Sequence, residues 1–551
     1  MSFVQSAPEL ENQFHADRVL RGYLARALPA PMRAAIEADL EALGQHAADA
    51  WAERVRTPRS EPAFTPWDAW GNRVDRIALT PAWREGAGIA TRYGLIAAGH
   101  EDAWGEHART HQFALVYLYH VASEFYTCPL AMTDGAATAL KASGNAALIE
   151  RAVPHFLSRD PAAFWLSGQW MTETVGGSDV GHSETEARRG ADGQWRLYGR
   201  KWFTSAVVGE AALTLARPQG AGAGAAALAM FYLETRDADG RWQGVRIDRL
   251  KDKLGTRELP TAELHLDGAP ATPVGELGHG VRMITPVLNI TRLWNAVCAL
   301  ATMRRCLALA RDYAHRRSAF GRTLLEQPLH ADTLAGMQAE FEAAFHLVFH
   351  VAELLGRAQS GAATRDEEAL LRLLTPLAKL WTGKLAVEIA SEAIEAFGGM
   401  GYLEDTGLPQ LLRDAQVYPI WEGTTNVLSL DALRALDGHG LAPWRHALDA
   451  LLDPTAADHA DIRAAADDAE AWLRACGDDR IALQAGARGL ALTLARSFAA
   501  ALLARHAAWA LAVHADRHPH AALQRFRAHG LQRLHRHDPD DAATLAADLH
   551  P

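Results

Sequence analysis

The hydrophobic period switches twice along this chain of 551 residues, and that double switch constrains the fold more than any other feature. Up to about residue 165 the spacing is helical. AAIEADLEALGQHAADAWAERV and EDAWGEHARTHQFALVYLYHVASEF carry apolar side chains three and four apart, which lines one face of a helix. Near Phe164 the texture changes to short β-branched or aromatic pieces: QWRLYGRKWFTSA, AALTLARP, ALAMFYLET and AELHLDG. Turn signals separate them, ADG at 191–193 and again at 238–240. From about Gly280 to Leu436 the helical period returns in ITRLWNAVCALATMRRCLALARDYAHRR, LHADTLAGMQAEFEAAFHLVFHVAELLG and LRLLTPLAKLWTGKLAVEIASEAIEAFG. Long amphipathic helices with short breaks suggest an antiparallel bundle. After Gly438-His439-Gly440 a further helical, alanine-rich region follows.

The expected class is therefore α+β. A helical domain with a Trp-rich extension spans 1–165, a mostly antiparallel β domain 166–278, a helical bundle 279–438, and an extra helical domain 439–551. The stretch EPAFTPWDAWGNRVDRIALTPAWRE is rich in Pro and Trp. It is expected to be an irregular connection that packs by its aromatics. PQGAGAGAAA (Pro218–Ala227) has the glycines of a phosphate loop but no βαβ context, so a hairpin loop is expected.

Composition excludes several functions. The net charge is −11, so any nucleic-acid site must be a local patch. Cys128, Cys298, Cys306 and Cys476 form no CxxC pair, which suits neither a disulfide scaffold nor a zinc site. MSFVQSAPELENQFHAD lacks a basic segment followed by an apolar core, so no secretory signal is expected. The most apolar run, around Leu490–Ala515, is broken by Arg496, Arg505 and His506, so no membrane span is expected. These features point to the cytoplasm.

Three segments carry candidate chemistry. The first is Met171-Thr-Glu-Thr-Val-Gly-Gly-Ser-Asp-Val180, with Lys201-Trp-Phe-Thr-Ser205 some thirty residues on. It offers hydroxyls and small-residue amides for close approach to a ligand, and Trp202 offers a flat apolar surface for a planar ring. A β-turn beside a core tryptophan would read the same way. The second is Arg317-Ser-Ala-Phe-Gly-Arg322, whose Arg317 suits a pyrophosphate or is a surface charge. The third is Phe397-Gly-Gly-Met-Gly-Tyr402, with Arg413-Asp-Ala-Gln-Val-Tyr-Pro-Ile-Trp-Glu-Gly-Thr-Thr-Asn426 after it. The glycines follow a helix rather than a strand, which excludes a Rossmann turn and fits a helix C-cap. Glu422, behind Pro419, Ile420 and Trp421, is either a general base in apolar company or an acid at a helix N-terminus.

In order and spacing these segments resemble the acyl-CoA dehydrogenase family, from about residue 100 to 436. Within it the chain looks most like the AidB-type branch, the DNA alkylation-response flavoproteins. That likeness rests on Trp67-Asp-Ala-Trp-Gly-Asn-Arg-Val-Asp75, Thr80-Pro-Ala-Trp83, Cys128-Pro129, the two glycines of MTETVGGSDV, Arg249-Leu-Lys-Asp-Lys-Leu-Gly255, Met303-Arg304-Arg305 and the extra C-terminal region. The resemblance implies FAD bound between the β domain and the helical bundle. Met171, Thr172 and Ser178 would contact flavin and pyrophosphate; Trp202, Phe203 and Thr204 would lie against the isoalloxazine. Gly423, Thr424 and Asn426 would lie near the cofactor beside Glu422. Arg317 and the turn of Gly398, Gly399 and Gly401 would reach FAD of a neighbouring subunit, which implies a homo-oligomer, a tetramer built as a dimer of dimers. Glu422 matches the family's base for α,β-desaturation of an acyl-CoA thioester, with Ser178, Arg292 and Gly423 at the substrate. Two departures bear on CoA recognition: Asn289 replaces a common acid, and KWFTS replaces Trp-Ile-Thr-Asn. Nitroalkane oxidation, in the same superfamily, uses Asp where Glu422 stands.

The tail adds a second expectation. From Ile481 to His537 arginine and histidine dominate, and Asp516 is the only acid. Were Ala521–Arg536 one helix, Arg525, His529, Arg533 and Arg536 would fall within an arc of roughly 80°. Such a face suits phosphates. With the AidB-type resemblance it implies binding of double-stranded DNA without sequence preference, through Arg525, Arg533 and Arg536. The alternative is a flavin-holding DNA-binding protein with weak or no dehydrogenase turnover. No metal is expected.

Overall fold

The computed structural model describes residues 6–57, 59–453, 459–535 and 538–548. The chain forms two compact units: Met1–Val55, Ala103–Leu118 and Asn295–Pro551 in one, Arg56–Asp102 and Tyr119–Trp294 in the other.

The second of these holds the sheet. It opens with the hairpin β1 (Ala63–Trp67) and β2 (Arg73–Ala78), then α3 (Pro81–Tyr93), α5 (Thr127–Ser143) and α6 (Ala146–Phe156). Seven strands follow: β3 (Ser167–Trp170), β4 (Glu186–Arg189), β5 (Trp195–Ser205), β6 (Ala211–Pro218), β7 (Ala229–Glu234), β8 (Val245–Leu250) and β9 (Thr261–Pro273). The pairings β4–β5, β5–β9, β9–β7, β7–β6 and β6–β4 close on themselves, with β3 added to β6 and β8 to β9. All are antiparallel except β3–β6 and β4–β6. Closure removes the open edge that a small sheet would otherwise present.

Side chains alternate along β6 and β7. Ala211, Leu213, Leu215, Met230 and Tyr232 pack on Ala136, Leu140, Leu148 and Phe156 of α5 and α6. Ala212, Ala216, Ala229, Phe231 and Leu233 face the other way, onto Leu197, Ile247, Ala262 and Leu264. The many alanines on that face let a tightly closed sheet fill without overpacking. The Pro218–Ala227 segment joins β6 to β7, which are antiparallel neighbours, as the sequence leads one to expect.

The Trp-rich stretch departs from its expectation. It folds as the β1–β2 hairpin, not as an irregular connection. The Asp68 carboxylate accepts from the Trp70 and Asn72 amides and from Asn72 Nδ2, which holds the turn without apolar packing. Trp70 is accordingly 90% exposed and Trp67 52%. Of the three tryptophans only Trp83 packs, edge-on to Tyr126.

The other unit is helical. It contains α1 (Arg18–Ala27), α2 (Ala30–Arg54), most of α4 (Ala108–His120), and α8 (Thr285–Arg316) from Asn295 onward. The two-residue strands β10 (Ser318–Ala319) and β11 (Arg322–Thr323) make a small hairpin. Then come α9 (Pro328–Gln359), α10 (Arg365–Ala396), α11 (Leu408–Ala415), α12 (Thr425–Ala435), α13 (Ala442–Leu451), α14 (Ala460–Cys476), α15 (Arg480–His514), α16 (His518–Ala528) and α17 (Pro539–Ala547). α10 starts at a reciprocal capping box, Thr364 with Glu367. By length and composition α15 could cross a bilayer, against the expectation from its broken run; 83% of its apolar window is buried in the fold. Arg496, inside that run, forms a forked pair with Glu340 at 2.8 Å.

The tail also needs correction. The helix ends at Ala528, with His529 as cap and Gly530 at φ +83°. A left-handed glycine just past a cap terminates a helix. The backbone beyond it is taken up by α15: Arg496 Nε donates to the Gly530 carbonyl at 2.9 Å, and the Arg533 amide to Thr493 Oγ1 at 2.8 Å. Arg525 and Arg533 therefore do not share a helix face. Arg525 pairs with Asp332 and His529 with Glu340, so much of the expected basic arc is neutralised by α9. Arg533 is half-buried, and burial, then the Arg496 charge, pulls its guanidinium below its usual value. Arg536 lies outside the described residues. The apolar half of the pattern does pack: Leu523, Phe526, Leu531 and Leu534 are buried.

Candidate functional site

Two clusters of chemistry-bearing residues emerge, one in each unit. In the β unit the MTETVGG and KWFTS segments meet. The Trp202 amide donates to the Thr172 carbonyl at 2.9 Å. That donor is free because the β5–β9 register slips between Lys201 and Thr204: Lys201 faces Leu264 and Thr204 faces Ala262, so β5 takes three steps where β9 takes two. A bulge of this kind re-aims side chains. A regular strand would alternate, whereas here Lys201 and Thr204 are buried while consecutive Trp202 and Phe203 are not. Phe203 is 50% exposed. Thr172 is half-buried, and a Cβ on Gly177 would meet its hydroxyl at 2.6 Å, so only glycine allows that close approach. Met171 packs on the core at its edge, Ser178 is exposed, and Thr204 Oγ1 donates to the Ala262 carbonyl at 2.6 Å.

Beneath this surface lies a buried ion pair. Lys201 Nζ is 2.7 Å from Glu173 Oε1, and the two side chains are 0% and 2% exposed. Glu173 also accepts from the Glu184 amide at 2.6 Å and from Thr185 Oγ1 at 2.6 Å. Burial pushes its carboxyl up, but the ammonium and these donors outweigh it and hold the group below the usual carboxylate value. Lys201 donates as well to the Leu215 carbonyl at 3.1 Å. On one face of the Trp202 ring sits Lys251, its Nζ 3.5 Å from the centroid and paired with Glu263 at 2.8 Å. Glu173, Lys201 and Lys251 all stand in motifs singled out for other residues. In sequence Glu173 and Lys201 each read as an ordinary charge, and no local signal marks them as a buried pair. Arg292 lies half-buried near the start of α8.

In the helical unit the remaining motifs gather. Tyr313, one turn before Arg317, stacks on Phe397, the residue before Gly398, with ring centroids 4.2 Å apart. This brings the β10–β11 hairpin close to the Gly398–Tyr402 turn. Phe320 at the hairpin tip is 98% exposed and Tyr402 84%. Arg413 on α11 forms a forked pair with Glu404 at 2.6 and 2.7 Å, tying the glycine turn to the next motif. Glu422 follows in a left-handed conformation, φ +58°, and Gly423 at φ +107°. Glu422 is half-buried, whereas its neighbour Ile420 is 62% exposed. Thr424 caps α12 through the Val427 amide, and Asn426 is exposed in its first turn. Glu422 thus stands in a left-handed turn immediately before the cap of α12, a backbone conformation that its surroundings must impose.

Family models and known proteins match the chain over most of its length. Residues 278–436 match the acyl-CoA dehydrogenase C-terminal domain, 168–269 the acyl-CoA dehydrogenase middle domain, and 5–160 the adaptive response protein AidB N-terminal domain. Acyl-CoA dehydrogenase family member 11 of Caenorhabditis elegans is 42% identical over 92% of this chain and 86% of its own. The putative acyl-CoA dehydrogenase AidB of Escherichia coli (strain K12) is 34% identical over 68% of this chain and 69% of its own. The crystal structure of Caenorhabditis elegans ACDH-11 in complex with C11-CoA superposes with a TM-score of 0.93 at 39% identity, covering 99% of this chain and 96% of that one.

Proposed function

Because the chain belongs to the acyl-CoA dehydrogenase family of FAD-dependent oxidoreductases, with an AidB-type N-terminal domain, we propose that it desaturates an acyl-CoA thioester with Glu422 as the base. The observation that carries this reading is the bulge at Trp202–Phe203. It turns two consecutive aromatic rings outward next to the Thr172 hydroxyl and a glycine pair, a surface that fits a flavin ring. Bound FAD supplies the hydride acceptor. The chain's part is to hold and to move a proton. Trp202, Phe203 and Thr172 set the ring and Met171 and Ser178 border it, while Thr204, buried with its hydroxyl bonded to the Ala262 carbonyl, faces inward and supports the strand beneath. Half-buried Arg317 and exposed Gly398 and Gly399 accompany exposed Phe320 and Tyr402, in keeping with contact to a second copy in a homotetramer, whereas Gly401 is buried against the end of α10 and is not part of that surface. Glu422 takes the proton from Cα, its loop flanked by Gly423, Thr424 and Asn426.

The test is anaerobic titration of the flavin-loaded protein with C11-CoA and shorter and longer acyl-CoAs. Bleaching of the flavin band, with the α,β-unsaturated thioester recovered, is the expected result. No bleaching by any of them refutes dehydrogenation.

DNA binding in an alkylation response is the finer part of this reading. It is supported by the match of residues 5–160 to the adaptive response AidB domain. The pairing of Arg525 with Asp332 weighs against the tail helix as the contact.

A further inference from the structure

The loop that carries Glu422 is fastened from beneath by two helices. From α8, Asn295 Nδ2 donates to the Tyr418 carbonyl at 3.3 Å, and Thr302 Oγ1 and the Tyr418 hydroxyl are 2.7 Å apart. From α10 the approach is closer. A Cβ on Gly383 would meet the Tyr418 carbonyl and the Pro419 nitrogen at 3.1 Å, so the helix backbone lies almost against the loop. One turn earlier on the same face, at i−4, is Lys379. It is 0% exposed, and its Nζ donates to the Gly423 carbonyl at 2.5 Å.

These contacts divide the loop. Asn295, Thr302 and Gly383 fix its entry at Tyr418 and Pro419. Its exit, the Gly423–Thr424 peptide one residue past Glu422, is held by the Lys379 ammonium. Glu422 and Gly423 both occupy left-handed backbone, a conformation that costs a non-glycine residue about 1–3 kcal/mol and persists only when its surroundings impose it. A charge-assisted hydrogen bond is roughly twice as strong as a neutral one and is suited to imposing it.

We propose that Lys379 is a positioning residue for the dehydrogenation: by gripping the Gly423 carbonyl it holds Glu422 in the left-handed turn that aims the carboxylate at the Cα proton. The proposal rests on Glu422 being the base. Lys379 touches neither substrate nor cofactor in this role. It acts on the chemical step and not on binding of the thioester.

The experiment is stopped-flow reduction of the flavin-loaded Lys379→Met protein over a range of acyl-CoA concentrations, beside wild type. The concentration dependence separates the saturating rate from the dissociation constant. A misplacement on the order of 1 Å costs about 10²-fold, so a loss of about 10- to 10²-fold in saturating rate is expected. The dissociation constant should stay within about twofold, and the isotope effect with α-deuterated substrate should be at least that of wild type. An unchanged rate, or a loss appearing only in the dissociation constant, overturns the proposal. If Lys379→Met does not hold FAD, Lys379→Leu, which likewise removes the N–H donor, is read in the same way. Failure of both to hold FAD makes Lys379 a folding residue and also overturns it. If wild type itself is not reduced, the functional reading fails and the proposal falls with it.

Discussion

The strand that carries Trp202 and the loop that carries Glu422 solve the same problem by different means. Each must present a side chain against the local regularity of the chain. On β5 the solution lies in the backbone: a three-for-two slip against β9 and an amide bond to Thr172, on a strand that β4 pairs only farther back, at Trp195–Tyr198. In the loop it lies in side chains. Asn295, Thr302 and Lys379 reach in from α8 and α10 to groups with no ladder of their own. A frame built on backbone pairing tolerates loss of the side chain it displays. A frame built on reaching side chains is lost one residue at a time.

The largest expected effect falls where the first frame does depend on a side chain. Lys201→Met leaves Glu173 buried beside Thr185 without its cation, a change that typically costs 3–5 kcal/mol, about as much as a small domain can spare. Chemical denaturation should show it. In wild type the depressed Glu173 carboxyl stabilises the fold above its ordinary value near 4.5, and that stability is lost as pH falls through the lower folded value. Melting temperatures measured between pH 6 and 3 should therefore fall less steeply in the mutant. An unchanged denaturation midpoint would show that the backbone frame needs no support from below.

A smaller loss is expected from Trp202→Ala. The ring is half-buried and its strand pairs with β9 before and after the bulge, so the fold should persist. FAD affinity should drop by about tenfold, the scale of one lost aromatic contact of ~1.4 kcal/mol. Fluorescence titration of apoprotein would measure it; unaltered FAD binding would remove the bulge from the site.

The smallest effect is expected in the tail. Arg525→Ala removes a part-exposed ion pair with Asp332, worth ~0.2–1 kcal/mol. Duplex-DNA affinity at matched salt should be unchanged if any DNA contact lies elsewhere. A marked loss of affinity would restore the tail as the contact surface.

Most of the architecture was legible in the sequence because it is written in periodicity. The switch from helical to strand spacing near Phe164 and back near Gly280 requires no knowledge of distant contacts. The MTETVGG and KWFTS segments were legible as a pair, yet the reason they meet was not. The bulge depends on the register against β9, sixty residues away, and a single-strand pattern carries no trace of a partner's register. Glu173 and Lys201 were hidden for the same reason: each reads as an ordinary charge until the fold sets them 2.7 Å apart. The tail failed differently. Its arc of roughly 80° extended helical geometry through Gly530, a residue that in sequence already marks a helix end. The Trp-rich hairpin is not legible because Pro66 and Gly71 read as breakers, whereas Pro66 stands in β1 at its register shift and Gly71, at φ +80°, lies in the turn that Asp68 holds.

Flavin reduction in Glu422→Gln, compared with wild type, tests the division between frame and base most directly. If the strand holds the flavin and the loop supplies the base, the variant should purify with its full FAD content and an unshifted melting temperature. Its reduction by a saturating acyl-CoA should be slower by at least about 10²-fold, the scale of a lost general base. Reduction at the wild-type rate, or loss of the flavin along with the carboxylate, would contradict it.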